Sequence, residues 1–136
     1  MIPTLSRLFS VLALVALMVP FAAARQAEGT TLTGQLVCST CWFEADRATT
    51  PYGSDADVKC AIRCAKGGIP AAIAVSDKGS VTLYVVEEGK YSFTKDGKDW
   101  SALTGRRVEV TGSVRREGDK HVVKVDALKV LPADNH

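Results

Sequence analysis

Histidine is nearly missing from this chain: His121 and His136 are the only two among 136 residues. His121 falls in an alternating stretch, His136 is the last residue, and no nucleophile motif accompanies either one. A glycine-rich phosphate loop is also lacking. Hydrolytic and phosphate-handling chemistry therefore have no residues here to carry them, and the expectation is a protein that is not an enzyme. An excess of one charge is lacking too, with 17 Lys and Arg against 15 Asp and Glu. The pairs Arg106-Arg107 and Arg115-Arg116 read as solvated strand ends rather than a polyanion-binding patch. Nucleic acid is not an expected partner.

Long apolar runs are scarce as well, and the one that exists lies near the start. After Arg7, the only charge among residues 1–24, comes LFSVLALVALMVPFAAA. Pro20 and the small residues interrupt it before the roughly 20 apolar residues that a spanning helix needs. Ala22-Ala23-Ala24 offers the small side chains that a signal peptidase reads. The expectation is a signal peptide over residues 1–24, a linker over 25–29, a β domain over 30–131 and a tail over 132–136. Removing residues 1–24 takes away only Arg7, leaving 16 basic against 15 acidic side chains. The exported product, periplasmic or extracellular, would keep no stable membrane anchor. A mature chain of this size is one domain with a modest core.

What the chain does have is periodicity. TLTGQLVC alternates, with Leu32, Gly34, Leu36 and Cys38 on one face. The following STCWFEADRATTPYGS is irregular and reads as a loop, a candidate mouth of a site. SDADVKCAIRCAKGGIP reads as a short helix with Ser54 as N-cap and Asp57 as its capping-box partner. Gly67 and Gly68 end it, and Pro70 prevents resumption. At 100° per residue, Val58, Ala61, Ile62 and Ala65 form its apolar stripe. Asp57, Cys60 and Cys64 fall together on another side. AAIAVSD, VTLYVVEE, RRVEVTGSVRREG and HVVKVDALKVL read as four more strands. A helical turn around Trp100 to Leu103, stopped by Gly105, interrupts the connection between the third and fourth. The predicted class is mainly β: a five-stranded, partly open barrel like the OB-fold, with the cysteine-bearing helix inserted between strands 1 and 2. A small open β-sandwich is the rival.

CAIRCAKGGIPAAIAV, DKGSVTLYVV and LTGRRVEVTGSV together resemble a group of small exported bacterial proteins. Their shared pattern is a strand ending in cysteine, then C-A-x-x-C with a glycine and a proline soon after, then an OB-like run of strands. The resemblance covers about residues 30–131 and implies a fold and a compartment, but no activity. Members often carry histidine where this chain has Asp57, and one cysteine where it has Cys38 and Cys41.

Cys38, Cys41, Cys60 and Cys64 are the only cysteines, and three chemistries suit them. In an oxidising space four cysteines fit two disulfides. Residues at i and i+4 of a helix are about 6 Å apart at Cα, near the edge of disulfide geometry. The bridges expected are therefore crossed, from Cys38 or Cys41 to Cys60 or Cys64. Alternatively, CxxC and CxxxC form a tetrathiolate that suits Zn2+ or Cu+, with Asp57 as a ligand or as a capping residue. Third, the CxxC could exchange electrons or disulfides, although no βαβ pattern surrounds it. Trp42, where a CxxCH would need histidine, removes haem attachment. Aside from sulfur, Trp42, Phe43, Tyr52, Tyr84, Tyr91, Phe93 and Trp100 are candidates for a sheet face that stacks a sugar or peptide ligand.

Overall fold

The computed structural model describes residues 29–133. The expected signal peptide, most of the linker and residues 134–136 of the tail lie outside the described residues. Five strands form: β1 (Thr30–Cys38), β2 (Ala71–Asp77), β3 (Ser80–Glu88), β4 (Arg107–Glu117) and β5 (Lys120–Val130). One helix, α1 (Asp55–Lys66), lies between β1 and β2. The strands close in the order β1-β2-β3-β5-β4, with β4 returning to pair with β1. All pairings are antiparallel except β3 with β5, which is parallel. This is the OB-type arrangement expected above. The barrel is fully closed rather than partly open, because β1 pairs β2 along its second half and β4 along its first.

Closure demands close backbone approaches, and glycine supplies them. A Cβ on Gly34 would stand 2.3 Å from the carbonyl oxygen of Ala74. Gly34 lies where β1 passes from one partner strand to the other. Gly112 sits at a β-bulge, where the register jumps from Thr111 opposite Ala127 to Gly112 opposite Val125. The extra residue in β5 increases the local twist that a small barrel needs.

The period-two faces divide as the alternation requires. Leu36, Cys38, Ile73, Val86, Val108, Val110, Val123 and Val125 fill the interior cluster. Val37, Ala72 and Ala74 face outward, and Tyr52 and Trp42 from the long loop cover them. Gln35 ties that loop down, its Nε2 donating to the carbonyl oxygens of Tyr52 and Gly105.

Helix α1 closes one end of the barrel. Ser54 Oγ accepts from the Asp57 amide, and Asp57 Oδ2 accepts from the Ser54 amide, the reciprocal cap expected from the sequence. The expected apolar stripe is rotated, however. Ala61 is fully buried and Ile62 is 38% exposed, while Cys60 and Cys64 pack against the interior cluster. The sulfur side of the helix, not the Ile62 side, is what meets the barrel. Trp100 begins a one-turn 3-10 helix (Trp100–Leu103), as expected, and its indole N–H donates to Ile69 O at 3.0 Å. That bond anchors the exit of α1.

Candidate functional site: a four-sulfur cluster at the barrel end

Two short chain exits bring the cysteines together. β1 ends at Cys38, paired with Ala71 at the start of β2. The chain then turns through a one-turn 3-10 helix (Cys41–Glu44), which places Cys41 over the barrel mouth. From the other side, α1 presents Cys60 and Cys64 on successive turns. Ser39 joins the two exits, its Oγ donating to Pro70 O at 2.8 Å.

Cys41 and Cys60 form a disulfide, and Cys38 and Cys64 are thiols. The crossed pairing expected from helix geometry is therefore present once. The second expected bridge is not formed, and neither a Cys38–Cys41 nor a Cys60–Cys64 bond exists. Cys64 Sγ lies 3.6 Å from Cys41 Sγ and 4.0 Å from Cys60 Sγ. The sulfurs of Cys38, Cys41 and Cys64 all lie within 4.8 Å of one another. Thr40 sits between the two thiols, its Oγ1 3.3 Å from Cys38 Sγ and 3.8 Å from Cys64 Sγ.

The two thiols differ in acidity. Burial pushes the Cys38 thiol up, but hydrogen bonds from the Thr40 hydroxyl, the Cys41 and Thr40 amides and Cys64 outweigh it, so its pKa is lowered. Cys64 moves the other way: burial raises it, and so do its hydrogen bond to Cys38 and the charges of Cys38 and Glu44. Cys38 is thus the first to become a thiolate, with the proton retained on Cys64 beside it.

The loop carrying Cys41 is held by Arg47. Its guanidinium donates to Cys41 O at 3.0 Å and, through Nε, to Trp42 O at 2.9 Å. It also pairs with Asp57 Oδ1 at 3.1 Å, both side chains being nearly buried. It lies 4.9 Å from the Tyr52 ring centroid and 5.6 Å from that of Trp42, within cation–π reach of both. The Tyr52 hydroxyl in turn accepts the Cys38 amide at 3.0 Å. Asp57 accordingly serves as helix cap and Arg47 partner. Its oxygens are taken by Arg47, Gly53 and Ser54, and it is not among the residues grouped with the sulfurs. Nothing in the sequence marked Arg47, since its partners lie up to ten residues away through an irregular loop.

Arg47→Met is expected to cost about 2 kcal/mol, because it removes the donor to the Cys41 and Trp42 carbonyls and to Oδ1 of the nearly buried Asp57. Urea denaturation measures this. Burial raises the Asp57 pKa, but the Gly53 amide, Ser54 and Arg47 together lower it further. Its stabilisation is therefore present above the ordinary carboxylate range and is lost as pH falls through the folded value. In Arg47→Met that acid-side loss of stability should be smaller than in the wild type.

Beside the cluster runs a groove of about 730 Å3, lined by Ser39, Thr40, Trp42, Phe43, Leu83 and His121 among others. Of the aromatic candidates, Trp42 and Phe43 line this groove. Tyr52 and Trp100 are buried, and Tyr84, Tyr91 and Phe93 pack against the interior cluster, so they anchor the core rather than present a stacking face.

Among the described residues, Cys41, Glu44 and Cys60 form the other grouping of potential metal-ligand atoms, and no helix is long and apolar enough to cross a membrane. Comparison with protein-family models, with curated proteins and with solved structures finds no match for this chain.

Proposed function

We propose that the chain is an exported, non-enzymatic binding domain that holds a soft metal ion, Zn2+ or Cu+, in its four-cysteine cluster. The observation that carries this is the convergence of all four sulfurs at one barrel end, with two of them free as thiols and three within 4.8 Å of one another. Thiolates select such ions, and the burial of Cys38 and Cys41 limits the water that reaches them. The N-terminal apolar run and the resemblance to small exported bacterial proteins support the compartment.

Thiol–disulfide exchange started by Cys64 draws less support from the same geometry. Cys64 Sγ is nearly equidistant from the two bridged sulfurs, at 3.6 and 4.0 Å, so it lies beside the bond. Exchange requires a thiolate to approach off one end of the bond, opposite the leaving sulfur. A second reading, a small sugar or peptide ligand on the outer sheet face, is favoured by the groove. Its volume is within the usual range for ligand sites, and Phe43 is 74% exposed at its wall.

Metal analysis of protein exported with its own N-terminal segment and purified without oxygen or chelator tests the first reading. The expected result is one Zn or Cu per chain, lost in Cys38→Ser. Metal-free protein with two disulfides by mass would count decisively against it.

A further inference from the structure

Resting on that reading of the cluster, we propose that Cys38 and Cys64 alone hold one cuprous ion while the Cys41–Cys60 bridge stays closed. The bridge decides how many ligands remain. A disulfide sulfur carries no charge and is a weak donor, so two of the four cysteines are withdrawn from the ligand set. The two thiols left come from different elements, the end of β1 and the last turn of α1, and their sulfurs lie within 4.8 Å. Two metal–thiolate bonds of about 2.3 Å span up to about 4.6 Å. A single ion therefore fits between them with small side-chain rotations.

The remaining surroundings separate the candidate ions. Zn2+ takes four donors in a closed tetrahedral site. Among the described residues no histidine or carboxylate is grouped with Cys38 and Cys64: Glu44 is grouped with Cys41 and Cys60 instead, and Asp57 is engaged by Arg47, Gly53 and Ser54. Zn2+ would be left short of ligands. Cu+, monovalent and with a filled d shell, is satisfied by two thiolates in a nearly linear arrangement, and soft sulfur ligands favour it. Cys38 is fully buried, and the bridged Cys41 sulfur stands 3.6 Å from Cys64, so the ion would sit against further polarisable sulfur instead of water. Thr40 Oγ1, close to both sulfurs, covers the pair. The bridge then has a second role: by fixing Cys41 and Cys60 to each other, it sets the site to two-coordinate chemistry.

The test is native mass spectrometry of the bridge-intact protein without oxygen or reductant, titrated with Cu+ as its acetonitrile complex and, separately, with Zn2+. One Cu+ per chain and no retained Zn2+ is the expected result. Alkylation of the native wild type should mark the partly exposed Cys64 before Cu+ and leave it unmarked after. Cys64→Ser, which alters a partly exposed helix position, should lose the ion while keeping its circular dichroism. Zn2+ bound only after the bridge is reduced, with four thiols protected, would overturn this assignment and leave the soft-metal reading standing. Binding of neither ion, before or after reduction, would remove both.

Discussion

Gly112→Ala is expected to lower folding stability by about 3–5 kcal/mol, among the largest effects a single methyl group can have in a domain of this size. The added Cβ would stand 1.9 Å from the carbonyl oxygen of Lys124 and 2.8 Å from its carbon. Both are backbone atoms of the paired strand, so no side chain can rotate away, and β4 and β5 must separate at the bulge. That bulge is also where β5 serves two neighbours. Val125 pairs with Glu88 of β3, and its carbonyl accepts the amides of Gly89 and Tyr91. Separation there strains the parallel β3–β5 seam that completes the barrel. Gly67→Ala is the control, since its Cβ would meet nothing nearer than 3.5 Å and its φ is negative. Urea denaturation of both variants gives the comparison. Equal, small losses would show that the strands yield more easily than their geometry implies.

Replacing the bridge, as Cys41→Ser with Cys60→Ser, is expected to cost about 3 kcal/mol on the chain-entropy account of a crosslink spanning 19 residues. The span contains the whole irregular loop and the first turns of α1. Its other ties, among them the Arg47 and Gln35 hydrogen bonds and the Tyr52 bond to the Cys38 amide, are lost on unfolding, so only the bridge restricts the span in the unfolded chain. The loss should be reproduced in the wild type by adding reductant, and it should be absent when reductant is added to the double variant. Cys64→Ser, which breaks no covalent bond at a partly exposed position, should change stability by less than about 1 kcal/mol. A double variant as stable as the wild type would assign the loop's order to Arg47 instead.

Much of the fold was legible in the sequence because its signals are local. Alternation over RVEVTGSV places Val108 and Val110 inside, since successive side chains of a strand point to opposite faces. Ser54 and Asp57 mark the helix start because both halves of the cap lie within one turn. Ile62 was misread because a wheel ranks residues by hydrophobicity. The packing of α1 was decided by the sulfur bond that draws Cys60 inward and by Ala61, which is small enough to meet the barrel directly.

From the sequence alone followed the five strands, the single capped helix, the crossed sense of any bridge and the convergence of four cysteines on one end. Each depends on neighbours a few residues apart or on the reach of a cysteine side chain. Only the tertiary structure decided that the barrel closes, that Gly34 and Gly112 must have no side chain, that Arg47 holds the cysteine loop, and that Cys41 pairs with Cys60 while Cys38 and Cys64 remain thiols. These depend on distances across the barrel between residues far apart in the chain. Four sulfurs at comparable spacings in the sequence become unequal only when strand end, loop and helix are held at fixed separations.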